Sequence, residues 1–285
     1  MRAESMFVNA RTRALVFIAF AIAAPIAQAE LLPLWEGGIG LAVVDFPDYR
    51  GADERTTYAV PLPYVVYRGD KFRIDREGLR GLFFHSDRVE LDVSANASIP
   101  VRSNDNQARA GMSDLDPTVE IGPTLNITLH ERTDKRSKLQ LRLPVRAVIA
   151  TNFTRARGAG FVFQPQLDLS VHDLTPISGW RFGVSAGPLF GDRRYHNYYY
   201  GVDPGFATPQ RPAYAASAGY SGSQVTLSTS RRFPRFWVGV FARFDWLKGA
   251  IFSDSPLVRQ ERAFAAGIAV SYVFARSSTL VEDDE

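Results

Sequence analysis

The sequence predicts an all-β protein, an antiparallel transmembrane β-barrel. Three observations predict it: an export signal opens the chain, polar and apolar residues then alternate with a period of two, and the alternating segments are long. After residue 30 no apolar run approaches the roughly 20 residues that a membrane-spanning helix needs. Strands are therefore the elements expected to cross the membrane.

The first 29 residues resemble a secretory signal peptide. Arg11 and Arg13 precede an apolar stretch from Ala14 to Ile26, and Ala27-Gln28-Ala29 is a peptidase cleavage pattern. Met1 and Met6 are both possible initiators. We expect three parts: a cleaved signal peptide at 1–29, an outer-membrane β-barrel at 30–274 and an acidic C-terminal tail at 275–285.

Composition excludes several classes of function. The chain has 33 basic and 30 acidic residues, and removing three arginines and Glu4 with the signal leaves a formal charge of +1. This balance gives no support to a nucleic-acid partner. Cysteine is absent, which excludes disulfides, thiolate metal sites and a lipidated N-terminal cysteine. We expect no cofactor and, as a partner, the lipid of the outer membrane.

The alternation is clearest in two segments, Thr118 to His130 and Val89 to Ile99. A soluble β-sandwich can produce the same pattern by turning its polar face to water. Strands in soluble proteins cluster near about 5–6 residues, whereas membrane strands need about 9–11. The longer segments here favour the membrane, as do aromatic residues near strand ends and a last strand that closes on Phe274.

Twelve strands are predicted, and ten or fourteen remain alternatives because Glu77-Gly78 interrupts one segment. Twelve would put the long connections 100–116 and 191–211 on the periplasmic side, which usually carries short turns. The predicted segments are 35–45, 57–67, 71–84, 88–99, 117–130, 137–150, 160–173, 179–190, 212–221, 223–233, 235–246 and 262–274.

The polar faces of these strands predict a charged barrel interior. Charges of both signs occur in near balance, so they could neutralise one another in a network that plugs the lumen, or line water in a pore. The candidate residues are Glu90, Asp92, Glu120, Arg142, Arg146, Asp168, Arg243 and Asp245.

One loop is a candidate contact surface for glycans or proteins, because aromatic faces and arginines suit sugar stacking. It could equally rest on lipid headgroups. Its candidate residues are Arg193, Arg194, Tyr195, Tyr198, Tyr199 and Tyr200.

Two further motifs have ordinary structural explanations. Acidic residues at 47–55 and 111–117 suit calcium, but neither stretch has the spacing of a known calcium loop, so turn formation is favoured and no metal site is predicted. His85 and Ser86 suggest a hydrolase, yet adjacent residues on a strand face opposite ways and cannot act as base and nucleophile. No catalytic residue is predicted.

Seven blocks along the mature chain together resemble the MltA-interacting protein (MipA/OmpV) family. None is diagnostic alone, because turns rich in Gly, Pro and Asp recur in β-barrels, and their order and spacing make the resemblance specific. The blocks are Trp35-Glu36-Gly37-Gly38, residues 47–54, Pro61-Leu62-Pro63-Tyr64, Arg68-Gly69-Asp70, Gly78-Leu79-Arg80-Gly81, residues 111–117 and residues 141–146.

This resemblance implies an outer-membrane protein, and a non-enzymatic scaffold that links a lytic murein transglycosylase to a murein synthase. Other members of the family look like adhesins or routes for small solutes. The acidic tail after Phe274 departs from the usual aromatic C-terminus of outer-membrane proteins. No catalytic residues come with the family.

Overall fold

A computed structural model describes residues 31–69, 72–75, 78–81, 84–86, 88–152, 154–173 and 179–282. The predicted signal peptide lies outside these residues. Across the described ranges, no helix is both long and apolar enough to cross a membrane.

The described residues form sixteen strands and one α-helix, α1 (Arg193–Tyr200). The first eight strands are β1 (Leu31–Pro33), β2 (Trp35–Pro47), β3 (Arg55–Arg68), β4 (Phe72–Asp75), β5 (Gly78–Gly81), β6 (Phe84–His85), β7 (Val89–Ala97) and β8 (Thr118–Glu131). The others are β9 (Ser137–Thr151), β10 (Ala156–Phe163), β11 (Gln166–His172), β12 (Trp180–Gly191), β13 (Gly219–Arg232), β14 (Phe236–Trp246), β15 (Arg262–Arg276) and β16 (Leu280–Glu282).

The long strands pair antiparallel with their neighbours in one large sheet. The last long strand, β15, pairs with the first, β2, along most of its length. The short β4–β5 hairpin pairs with the last residues of β3, Tyr67 and Arg68, and so extends the sheet. The hairpin also lies against β7, which brings the two ends of the sheet together. β10 and β11 act as one strand between β9 and β12, interrupted where Pro165 has no N–H to donate to a ladder.

Within the described residues, ten strands cross the barrel when β10 and β11 are taken together, so the predicted twelve is not confirmed. The predicted segment 71–84 contains the short β4–β5 hairpin, and most of 212–221 is loop in which Tyr214 bridges to Val202. Two fewer crossings resolve the conflict over sidedness. The long connections 98–117, 192–218 and 247–261 lie at one end. The turns 132–136 and 233–235, the β4–β5 hairpin and the first and last described residues lie at the other.

Short turns and termini mark the periplasmic end of such barrels, so the long connections are extracellular.

The outward face of the sheet is apolar and the inward face carries small and polar residues, the reverse of a soluble protein. Outward positions of β15 carry exposed Phe264, Ile268 and Val270, while the inward positions between them are occupied by small or polar residues. A sandwich would bury its apolar face, so the outward apolar surface agrees with lipid as the surrounding solvent. Trp35, Tyr67, Trp246, Tyr272 and Phe274 are also exposed near strand ends, whereas Tyr64 and Trp237 pack inward.

Part of the predicted acidic tail is paired. β15 continues to Arg276, and β16 then pairs antiparallel with β1, so residues 31–33 and 280–282 form a small sheet of their own. Leu32 lies opposite Val281 in this pair. Residues 283–285 of the predicted tail lie outside the described residues.

We predict that Ile268→Arg lowers the free energy of unfolding from a bilayer by about 2–4 kcal/mol, because an arginine near mid-strand would face hydrocarbon. Urea titration of the protein folded into vesicles, read by heat-modifiable gel migration, measures the change. Ile268→Leu is the matched control and should stay close to the parent protein. Equal stability of the arginine variant would contradict a lipid-facing β15.

Candidate functional site

All eight charges predicted for the interior lie on the inward face of the strands, as the pairing registers show. Asn126 donates from Nδ2 to Oδ2 of the buried Asp92 (2.9 Å) and accepts from Nε of Arg142 (3.1 Å). Nε of Arg142 also lies 3.5 Å from Oδ2 of Asp168. A chain of charged and amide groups therefore crosses from β7 through β8 and β9 to β11.

Glu120 and Arg146 form a second inward pair. Arg146 donates from Nε to Oε2 of Glu120 (3.0 Å) and from Nη2 to Oε1 of Gln164 (2.8 Å). Glu90 is the inward residue of β7 that precedes Asp92, and it lines a cavity at the periplasmic end. The carboxylates on this side of the barrel thus lie among basic and amide donors.

The buried Asp245 holds a separate group near the extracellular end. Its Oδ2 accepts from Nε of Arg243 (2.9 Å), and its Oδ1 accepts from Nε of Arg50 (2.8 Å). Arg50 comes from the 48–54 loop and also donates to the backbone carbonyl of Ser221 (2.9 Å). Arg50 therefore ties an extracellular loop to two strands, to β14 through Asp245 and to β13 through Ser221.

A fourth group, not predicted from the sequence, is built on Glu36 near the periplasmic end. This buried carboxylate accepts from Nε of Arg232 (2.9 Å) and from Nη2 of Arg68 (3.2 Å). The signal was present in the alternation, because Glu36 is the one charged residue on the face of β2 that carries Gly38, Gly40 and Ala42.

Four extracellular loops pack together over the barrel mouth, and this group is called the cap. Phe252, Leu247 and Leu257 are fully buried within it. Phe252 stacks on Tyr200 with ring centroids 3.6 Å apart. The buried members of the cap are Tyr49, Ala52, Val101, Leu115, Tyr200, Val202, Ala216, Leu247, Ala250, Phe252 and Leu257.

Hydrogen bonds also join the loops of the cap. The Tyr49 hydroxyl donates to the Leu257 carbonyl (2.8 Å), and the Ser255 hydroxyl donates to the Tyr200 carbonyl (2.7 Å). Nη1 of Arg109 donates to the Tyr199 carbonyl (3.1 Å). Each bond links residues that are far apart in sequence, so the cap is tertiary structure and not a set of independent loops.

Helix α1 carries the predicted contact loop, and the structure corrects that expectation. Tyr195 is buried against inward residues of β9, β10 and β12, and Tyr200 is buried in the cap. Tyr200 donates to the Arg50 carbonyl (3.0 Å), and burial raises its pKa, so the phenol stays a neutral donor. The tyrosines turn inward because the helix lies against the barrel wall.

The remaining contact-loop residues are less buried. Tyr198 and Tyr199 are partly buried, with hydroxyls on the Asp116 carbonyl and on Thr118, and Arg193 and Arg194 are exposed. Only the two arginines keep the exposure that a stacking surface needs.

Two of the acidic residues weighed as calcium ligands make hydrogen bonds in the cap, Asp48 to a neighbouring loop and Asp114 within its own. Asp48 accepts from Thr56 (2.7 Å) and from Asn106 (2.9 Å), and Asp114 accepts from the Ser103 N–H (2.7 Å). In the described part of the chain, no three His, Cys, Asp or Glu residues are grouped as metal ligands. These carboxylates therefore organise the cap.

Ser86, weighed as a nucleophile beside His85, lies in a turn. Its hydroxyl donates to the Val89 carbonyl (3.1 Å) and accepts from the Val89 N–H (3.2 Å). Such bonding is typical of a serine that stabilises a turn.

Comparison with known proteins agrees with the fold and the location. The family described as MltA-interacting protein MipA matches residues 39–274. Outer membrane protein OmpV of Vibrio cholerae serotype O1 is 27% identical over 228 residues, which cover 78% of this chain and 80% of the relative. Outer membrane protein Omp26La of Vibrio anguillarum is 25% identical with the same coverage.

Similar solved structures include a bacterial polysaccharide outer membrane secretin, with 10% identity, a TM-score of 0.40, and coverage of 84% of this chain and 99% of that one. A Pseudomonas aeruginosa FadL homologue has 8% identity and a TM-score of 0.29, with coverage of 86% and 91%. Both scores lie below 0.5, so the arrangement of this barrel rests on its own strand pairing. With the family match covering most of the chain, this outer-membrane β-barrel belongs to the MltA-interacting protein MipA family.

Proposed function

We propose that the protein is a non-enzymatic scaffold: a barrel closed at its extracellular end that holds a lytic murein transglycosylase, and with it a murein synthase, on its periplasmic face. The single observation that carries the proposal is the cap. A barrel whose outer mouth is filled by packed side chains is suited to presenting a surface rather than to conducting solutes.

The packing supports closure in two layers. Above, the fully buried Phe252, Leu247 and Leu257 occupy the centre of the loop cluster. Below, Asp245 binds Arg50 and Arg243 where the strands enter the cap. A charge pair removed from water is costly to break by loss of one partner, so the lower layer resists opening.

Sidedness supports a periplasmic docking face. Murein lies in the periplasm, whereas the long loops of this barrel lie at the opposite end. Among the described residues, the periplasmic face includes the turns 132–136 and 233–235, the β4–β5 hairpin and the β1–β16 pair, and it carries exposed basic residues such as Arg132, Arg136 and Arg235. Basic side chains of this kind favour a partner with an acidic patch. The family description, MltA-interacting protein, supports the same kind of partner.

We predict that Arg136→Glu with Arg235→Glu weakens capture of a lytic murein transglycosylase at least about tenfold, because both changes reverse charge at the proposed docking face. The measurement is binding of the purified enzyme to the barrel in lipid nanodiscs. Arg193→Glu with Arg194→Glu is the matched control, with the same charge change on the exposed side of the cap.

Loss of binding in the control variant alone would overturn the periplasmic assignment. Absence of binding by the unaltered barrel would overturn the scaffold itself.

We also predict that the pure protein gives no steady ion current in planar bilayers. Arg50→Ala should produce channel openings, because it removes the ion pair that holds the cap to Asp245 on the barrel wall. Arg193→Gln, an exposed change on α1, should leave the bilayer silent. A large steady conductance from the unaltered protein would favour a pore and contradict the closed barrel.

His196 is a buried titratable group in the cap. Its Nδ1 lies 2.6 Å from the Ser217 carbonyl and must donate there, so Nε2 accepts from the Ser221 hydroxyl at 2.6 Å. Burial lowers the pKa of His196, outweighing the opposite effects of the Ser217 carbonyl and of Asp192, and Arg50 lowers it further. The neutral imidazole is therefore the form that the folded cap stabilises.

We predict that the cap loses stability as the pH falls below about 6.5, the ordinary histidine pKa, towards the lowered pKa of the folded form. The loss arises because the opened loop binds a proton more readily than the closed one. Hydrogen exchange of the 192–218 amides, compared with His196→Gln at each pH, measures the effect. Parallel pH profiles for the two proteins would contradict this role of His196.

A further inference from the structure

The periplasmic half of the barrel encloses a cavity of about 760 Å³, within the range of small-molecule sites. It lies on the periplasmic side of the cap, and Glu90 is one of the inward charges in its lining. Strands from nearly the whole circumference of the barrel line it. The scaffold proposed above makes no use of it.

The cavity wall changes from basic to apolar around the barrel. Two neighbouring rows of residues, paired from strand to strand, both show this change. In the first row, Lys138 pairs with Ser170, and the row continues through Gly183, Ser228, Phe241, Gly267 and Val44. The second row runs through His172, Arg181, Ser230, Gly239, Ala269 and Ala42. Each row passes from a basic side chain through hydroxyls to an apolar wall.

On the apolar side, two glycines leave space for aromatic rings. A Cβ on Gly267 would meet the Phe241 ring at 2.6 Å, and a Cβ on Gly239 would meet the Trp237 ring at 2.3 Å. The absence of side chains at these two inward positions lets both rings lie close against the wall. Leu62 on β3 adds to the same apolar side.

The charge of the lining is unbalanced. Among the described residues, two carboxylates, Glu90 and Glu131, line the cavity together with a larger set of basic groups. That set is Arg73, Arg88, Lys135, Lys138 and Arg181. A ligand that matches this lining carries negative charge at one end and an apolar body at the other.

We propose that this cavity binds a small amphipathic anion, an acidic headgroup on an apolar body, that enters from the periplasm. The headgroup lies towards Lys138 and Arg181, with the serine hydroxyls as donors, and the apolar body lies against Phe241 and Trp237. This site is separate from the docking face, and its occupancy does not depend on a murein enzyme.

The test uses para-iodophenylbutyrate, whose iodine quenches tryptophan fluorescence on contact. The protein is held in nanodiscs of neutral lipid, and the uncharged para-iodophenylbutanol is the comparison. Trp237 lines the cavity and is one of four tryptophans in the chain. We expect saturable quenching by the carboxylate, at least tenfold weaker binding of the alcohol, and loss of the saturable component in Trp237→Phe.

Lys138→Gln with Arg181→Gln should weaken carboxylate binding at least tenfold, and Arg193→Gln with Arg194→Gln, with equal loss of charge on the cap, should not. Heat-modifiable migration checks that each variant is folded. Equal binding of acid and alcohol by the unaltered protein would overturn the proposal without any variant. Failure of the transglycosylase to bind would leave this site intact, so the two proposals fail separately.

Discussion

The constraint on which the rest of this structure depends is the absence of water outside the barrel. Hydrocarbon cannot satisfy backbone polar groups, so every crossing segment must be a paired strand, and outward residues such as Ile268 must be apolar. The polar residues of each strand are then left with the interior. Charges there need partners, and Glu36, Asp92 and Asp245 have donors within hydrogen-bond distance.

The two ends of the interior are built differently. At the extracellular end, long loops bring aromatic and aliphatic side chains over the mouth, and α1 lies against the inner wall through Tyr195. At the periplasmic end, the turns 132–136 and 233–235 are short, and the strands surround the cavity lined by Lys138 and Phe241. In the function proposed above, this asymmetry gives the molecule a closed outer side and a recessed inner side, and the recessed side faces murein.

The groups of charged residues also differ between the extracellular and the periplasmic end. Asp245 binds loop to wall through Arg50 and so belongs to closure of the cap, whereas Glu36 joins β2, β3 and β13 at the rim where the two proposed periplasmic interactions would occur. A scaffold and a small-molecule site can coexist on that side because the docking face is the outer rim and the cavity lies between the strands.

The sequence by itself determined the class of fold, the export and the inward direction of the predicted charges, because along a regular strand a period of two places alternate side chains on opposite faces. The family followed from the order of its turn motifs. Tertiary structure alone decided the number of crossings, since residues 71–84 and 212–221 carry strand-like composition but their pairing depends on distant neighbours. It also turned Tyr195 and Tyr200 inward and joined Arg50 to Asp245, because contacts between distant loops leave no local pattern.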